Sequence, residues 1–449
     1  MTSEKSPAID AGLKDLSFTK SRGAVAASRI ALLVGGIANS LLLPLVLERS
    51  AVGLFFQAQV AIAALSTIAQ LGFTFTVPQF LSAYVAENKF AEARFFIASI
   101  ITVSILTSAL LTGLYSIFLY YGDLGPAEHT ILTCVFFTAA FNAQSAISCE
   151  ILRALRSYGA ANIIMTSSGL FVPIYVSIVY FGLEHSSIQK VLYCGLVGST
   201  GVFILSILLV YRKIRKFPRK AFHKKRIVTF TAKSLPNLLS SLVLFLMSQA
   251  DIILLSHWYG AQEVAVYGIA ARISALLLFP LAIANSALAP VAVEHRVAER
   301  NGELCDLVSS TARTSALLAG AGYSAFLLIG YPLIYFWNPA FIEAYYIFAI
   351  LGFGQVIHAA CGAAGVLLMT GGQQLTAMRI TLGAGFLTII LGVLGLECLG
   401  VGGLATAMAA GNILQMLAFA YRARLHFGID PTVLRLHRPI RGAARVFSL

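Results

Sequence analysis

Two charges stand inside apolar sequence. Asp251 and Arg272 lie in the run SQADIILLSHWYGAQEVAVYGIAARISALLLFPLAIANSALAP (248–290), where most neighbours are Leu, Ile, Val, Ala or Phe. A charge held within hydrocarbon is costly, so each is a functional candidate by default. Arg272 follows Glu263 by nine residues, about 13 Å along a helix rising 1.5 Å per residue. Asp251 precedes His257 by six residues, in the outer third of its own run. These depths allow the two to meet. The planar guanidinium fork of Arg272 matches phosphate oxygens, which makes it a candidate for binding. A fixed Asp251–Arg272 salt bridge between adjacent helices explains the same pair, because pairing is the common way to tolerate a buried charge. Both readings hold if a ligand competes for the pair, and Asp251 is then a coupling or gating candidate.

Other polar groups invite paired readings. Arg29 opens the first apolar run, either lining a cavity mouth or snorkelling to headgroups, and snorkelling is the plainer account. Glu150 sits three residues before Arg153, the spacing of a helix-end brace, and is kept as a gating candidate. His358, within VIHAACGAAG (356–365), could take protons in a coupled cycle; a neutral ring bonded to a carbonyl is the simpler account. Asn39, Gln57, Gln59, Asn142 and Gln249 are amides in apolar runs and candidates for lining a cavity, as Gln70, Gln144 and Asn285 would also be. Amides also hold membrane helices together. Pro44, Pro78, Pro173, Pro280 and Pro290 each remove a helical hydrogen bond and kink or end a helix.

The elements that must position these groups follow from composition. The 449 residues are 58% hydrophobic and 11% charged, where soluble domains carry roughly 25% charged residues. One soluble core could not hide this much apolar surface, so the solvent is lipid. Spanning hydrocarbon takes about 20 apolar residues. Twelve helices are expected, at 23–47, 52–82, 93–121, 128–151, 158–182, 188–211, 235–257, 264–292, 307–333, 341–369, 374–397 and 400–422. The fold class is an all-α polytopic membrane protein. No loop is long enough for a catalytic domain, and no Gly-Lys dipeptide occurs, so there is no phosphate-binding GxxxxGK[ST] loop. This excludes ATP-driven work by the chain alone and leaves H+ or Na+ coupling, membrane potential or consumption of product as energy sources. No cofactor is expected.

The polar stretch YRKIRKFPRKAFHKKRIVTFTAK (211–233) carries ten Lys or Arg and no acid. It must lie in water or against anionic headgroups. With the N-terminus placed in the cytoplasm, 29 of the 32 Lys and Arg fall inside, Arg49 and Lys190 outside, and Arg272 within a span. That asymmetry orients the chain with both termini cytoplasmic. The formal charge of +13 therefore reflects topology rather than a nucleic-acid partner. The expected organisation is a tail at 1–22, a six-helix bundle at 23–211, a basic linker at 212–234, a second bundle at 235–422 and a basic tail at 423–449. The run from about Gly23 shows no cleavage signal and reads as retained. Cys134, Cys149, Cys194, Cys305, Cys361 and Cys398 are scattered without a CxxC pair and read as small hydrophobes, with no metal or disulfide framework.

The two bundles repeat one another. Residues 50–87 fall without a gap on 262–299, with Val52 on Val264, Pro78 on Pro290 and Val85-Ala86-Glu87 on Val297-Ala298-Glu299. A second pairing sets ILRALRSYGAANI (151–163) against the turn after VLLMTGGQQLTAM (366–378). Both join spans six apart, so the expected relation is a pseudo-two-fold axis along the membrane normal.

In the 248–290 run, an Asp, a Leu-rich helix end, a Gly-containing turn and a V-x-x-Y-x-x-A-x-R stretch follow in order. LERSAVGLFFQAQ (47–59), AQLGFTFTVPQFLSAY (69–84) and the late segment 365–414 extend the pattern. Together they resemble the polysaccharide transporter, or oligosaccharide flippase (Wzx-type), branch of the MOP exporter superfamily, and imply its MATE-like fold. The resemblance implies a secondary transporter rather than an enzyme. It would move a lipid-linked oligosaccharide on undecaprenyl pyrophosphate to the outer leaflet of a bacterial inner membrane. The product would feed O-antigen, capsule or exopolysaccharide assembly, with polymerase and assembly proteins as partners. Arg272 and Arg29 would then meet phosphate or acidic sugar, and the amides sugar hydroxyls. A MATE-like cation or drug antiporter is the first rival, although the first span lacks the acidic residue that some of its branches use. A peptidoglycan lipid II flippase is the second, although it typically has two further spans. A polymerase or glycosyltransferase would need a sizeable acidic or basic loop.

Overall fold

The computed structural model describes residues 35–434 apart from 37, 40, 122–124, 182–186, 219–223, 286–287, 289–300 and 429. The expected span 23–47 lies mostly outside these residues, as does Arg29, although residues 41–46 are helical. All regular structure among the described residues is helical. Ten of these helices are long and apolar enough to cross a membrane. Helix is the open-chain solution in lipid because each segment bonds its own N–H and C=O groups. The outward faces fit that solvent: Leu328 is 80% exposed and Phe336 85% exposed.

The chain divides into two compact units, and the division does not simply follow sequence halves. One holds Gln57 to Leu246; the other holds Glu48–Phe56 together with the chain from Met247. Helix α1 (Arg49–Ala69) therefore contributes its first turns to one unit and the remainder to the other.

In the unit holding Gln57 to Leu246, α2 (Phe73–Ala86) restarts after a break. One span was expected over 52–82, but Leu71 (φ 48°) and Gly72 (φ 73°) are left-handed and end α1. The break lets α7 (Lys224–Trp258) approach: a Cβ on Gly72 would lie 2.5 Å from the Ser234 carbonyl oxygen and 2.4 Å from the Leu238 nitrogen. Asn237 Nδ2 donates to Thr76 Oγ1 at 2.9 Å across the same approach. Beyond it run α3 (Phe90–Tyr121), α4 (Pro126–Ala154), α5 (Tyr158–Phe181) and α6 (Ile188–Ile214). Phe73, Phe96, Ile147, Leu152 and Phe230 share the core. The Phe96 and Phe230 rings meet edge to face with centroids 4.9 Å apart. Arg94 closes the end of α6, donating to the Phe217 carbonyl at 2.5 Å. Helix α7 starts well inside the basic stretch. Lys and Arg are good helix formers, so a spanning helix continues into water without penalty.

The second unit opens on a clasp. Arg49 donates to the Ala340 carbonyl at 3.0 Å and to the Gln262 carbonyl at 3.3 Å, and pairs with Glu343 at 2.6 Å. Gly53 lies so close to Ala261 that a Cβ would sit 1.7 Å from the Ala261 oxygen. Helix α8 (Ala261–Ala275) passes into a 3-10 turn (Leu276–Leu278), where one regular span over 264–292 was expected. Then come α9 (Asn301–Trp337), α10 (Ala344–Cys361) and short α11 (Ala364–Thr370). The expected single span 341–369 is broken at Gly362 (φ 62°), where a Cβ would meet the Pro431 oxygen at 2.6 Å and Ala312 Cβ at 2.7 Å. Finally α12 (Gln374–Phe427) has 54 residues, about 80 Å if straight and far beyond the roughly 30 Å hydrocarbon core. Gly400 (φ 63°) divides it at the expected place. Around that turn, a Cβ on Gly403 would lie 2.0 Å from the Gly395 oxygen, so small residues let the two arms close.

Candidate functional site

In the second unit, four elements turn polar side chains toward one cavity of about 430 Å³. Helix α7 supplies Ser248 and Asp251, and α8 supplies Tyr267 and Ser274. Helix α10 supplies Gln355 and His358, and both arms of α12 complete the lining with Thr381, Thr388, Asn412 and Gln415. Intervals of three and seven residues put each pair on one helix face. The Asn412 amide donates to Gln355 at 3.4 Å, and the Gln415 amide donates to Thr381 at 3.2 Å. His358 Nδ1 has no protein partner among the described residues.

Asp251 accepts from the Ile252 N–H at 2.8 Å, and Tyr267 stands with it in the cavity wall. Arg272 acts on it through its field. The direct Asp251–Arg272 salt bridge expected from sequence is not formed: among the described residues no ion pair joins them within 4.0 Å. Arg272 turns instead onto the Phe56 ring, with its guanidinium carbon 3.8 Å from the centroid, and donates to the Gly268 carbonyl at 3.1 Å. A stacked guanidinium keeps its charge on an aromatic face without a carboxylate partner. Gly268 makes the room, since a Cβ there would lie 2.4 Å from the Phe56 ring. Arg272 is not among the residues lining the cavity, where the described lining holds one carboxylate and no Lys or Arg. Such a lining suits a proton or a cation better than a diphosphate.

The other sequence candidates are dispersed. Asn142 lines a separate cavity of about 320 Å³ in the first unit. Gln57, Gln59 and Gln249 are half-buried and line neither cavity. Asn39 is half-buried, with Oδ1 unpartnered among the described residues. Glu150 is ion-paired with Arg153 at the last turn of α4. Sequence reasoning missed Tyr267, Gln355, Asn412 and Gln415. Each met the criterion that found the others, a hydrogen-bonding group inside an apolar run. Gln355 with His358, and Asn412 with Gln415, also carry a one-face spacing that could have found them.

A family model described as polysaccharide biosynthesis protein matches residues 31–295. No curated protein matches the chain. Solved structures match over nearly the full length. An inward-facing multidrug resistance MATE family transporter of the MOP superfamily aligns with a TM-score of 0.65 and 15% identity, covering 93% of this chain and 96% of its own. The outward-facing conformation of a multidrug resistance MATE family transporter gives 0.61 and 15%, covering 95% and 99%. A MOP superfamily transporter from Pyrococcus furiosus, described as having a binding pocket of reverse polarity, gives 0.60 and 14%, covering 91% and 96%. At these identities the likeness is one of fold.

Proposed function

This chain belongs to the polysaccharide biosynthesis protein family, and from that membership we propose that it is a flippase for a lipid-linked oligosaccharide. It is a multi-pass membrane protein with the fold of MOP superfamily transporters. The substrate in this reading is a glycan on undecaprenyl pyrophosphate, carried by alternating access from the inner to the outer leaflet of a bacterial inner membrane. The product feeds O-antigen, capsule or exopolysaccharide assembly through polymerase and assembly partners. Both termini and the basic linker face the cytoplasm, where the linker meets anionic lipid. The family match carries the proposal; polar cavities inside apolar helical units support it physically, because sugar hydroxyls need partners that lipid cannot give.

Roles divide by chemistry. Asp251 and His358 take up H+ or Na+ in the cavity of the second unit, and the field of Arg272 tunes Asp251. Arg29 meets the diphosphate at the inner mouth. Catalysis has no part in the cycle.

The test is the fate of lipid-linked sugar in a strain deleted for this protein. Complete lipid-linked units should accumulate on the cytoplasmic face while surface polymer disappears. Normal surface polysaccharide would overturn the reading. A second reading, cation antiport, draws on the carboxylate-lined cavity. It gains if the deletion leaves surface polymer intact and sensitises cells to cationic dyes.

A further inference from the structure

The cavity of the first unit differs in chemistry from that of the second. Asn142, Ser145, Ala146 and Cys149 occupy one face of α4 at intervals i, i+3, i+4 and i+7. Ser66 of α1 and Ile164 and Met165 of α5 close the space, about 320 Å³ in all. Among the described residues no charged side chain lines it. Glu150 and Arg153 pair with each other outside the lining, and the Arg153 guanidinium also touches Met165 Sδ.

Its hydroxyls are poised rather than consumed. Several buried serines turn onto their own helix: Ser99 donates to the Phe95 carbonyl at 2.7 Å, Ser206 to Phe203 at 2.8 Å and Ser309 to Cys305 at 2.7 Å. Ser145 does not, and neither do Ser108 and Ser148, but of these three Ser145 is the one that lines the cavity. It is 6% exposed, and its Oγ has no protein partner among the described residues. A buried hydroxyl left unmet is costly, so the space favours an occupant that hydrogen-bonds. Ser66 Oγ accepts from Gln70 Nε2 at 3.0 Å, which leaves its O–H to donate. The Asn142 amide brings both a donor and an acceptor. Ile164 and Met165 add an apolar wall.

We infer that this cavity binds an uncharged polyhydroxyl ring, one neutral sugar residue, through Ser66, Asn142 and Ser145 with its C–H face on Ile164 and Met165. Donors and acceptors without net charge match sugar hydroxyls, and the described lining itself offers neither a cation nor a phosphate a counter-charge. The volume is at the low end of the roughly 300–1,000 Å³ range of ligand pockets, which suits a single ring rather than a repeat unit. The assignment deepens the flippase reading and rests on it for its biological meaning: the first unit grips sugar and the second handles the ion.

The test is thiol protection in the full-length protein in phospholipid nanodiscs. Ala146→Cys is labelled with methyl methanethiosulfonate and read by peptide mass spectrometry, which resolves position 146 without removal of native cysteines. Uncharged methyl glycosides, inorganic phosphate and tetraphenylphosphonium are compared as protectants. At a glycoside concentration about four times its Kd, labelling should slow roughly fivefold, and Ser145→Val in the same background should abolish the effect. Native Cys149 in the unmutated chain gives the same reading if Ala146→Cys fails to fold. Protection by the cation alone or by phosphate alone would overturn the assignment, as would no protection by any probe, which would leave a hydration cavity. Glycoside protection with no lipid-linked sugar accumulating in the deletion strain would sink the flippase reading while the site stands. Accumulation without protection would do the reverse.

Discussion

At the scale of single residues, the second unit separates two charges that sequence reasoning joined. Asp251 faces the cavity and Arg272 lies on Phe56. Asp251→Asn should therefore remove ion dependence while leaving the Arg272–Phe56 stack intact. Transport driven by a proton or sodium gradient should fall roughly tenfold or more, an activation cost of about 1.4 kcal/mol, with thermal unfolding in detergent nearly unchanged. Gly268→Ala should behave in the opposite way. Its Cβ would run into the Phe56 ring, so overpacking should cost roughly 1–3 kcal/mol of stability, seen as a lowered melting temperature. Asp251 and Arg272 were legible because a charge in an apolar run is conspicuous. Their geometry was not, because Phe56 comes from a segment about two hundred residues earlier and no local spacing announces it. Tyr267 was overlooked for a related reason: tyrosine passes as apolar until it is seen beside Asp251 in a cavity wall.

At the scale of elements, the lengths of apolar runs revealed the spans, and the interruptions stayed hidden. The chain has 37 glycines, so no single one marks a break. Gly72 and Gly372 are both left-handed, at φ 73° and 79°, yet their surroundings differ. A Cβ on Gly72 meets α7 backbone, whereas nothing lies within 4 Å of one on Gly372. Gly372→Ala should cost only the backbone strain, about 1–2 kcal/mol. Gly72→Ala should cost roughly 3 kcal/mol or more, because the α7 backbone must also retreat. Thermal unfolding of the two variants side by side checks the ranking. Equal losses would mean that α7 does not depend on the bare Gly72 backbone. The early start of α7 was hidden by the opposite effect: charge marks where hydrocarbon ends, while helix ends are set by backbone bonding and continue through lysines.

At the scale of the whole molecule, charge asymmetry supplies a topology to test. Single cysteines placed in 212–233 should resist an impermeant thiol reagent added outside intact cells and react after lysis. Labelling from outside would invert the orientation. The units themselves were only partly legible. The sequence repeat suggested two halves, but the assignment of Glu48–Phe56 to the second unit depends on Arg49 reaching Glu343 and on Gly53 meeting Ala261. Arg49→Ala should lower stability by roughly 1–2 kcal/mol, since three polar contacts go but Glu343 is largely exposed and screened. A melting temperature unchanged from wild type would remove the clasp from the account.

That clasp also sets a clock for synthesis. Arg49 and Glu343 are 294 residues apart in the chain. At about 5–20 residues per second, the ribosome needs roughly 15–60 s to make the second partner after the first. Through that interval the Arg49 guanidinium is uncommitted, and the second unit cannot be completed from its own half of the gene. Expressed as two separate polypeptides divided in the basic stretch, the later half should be degraded when made alone and persist when the earlier half is made with it.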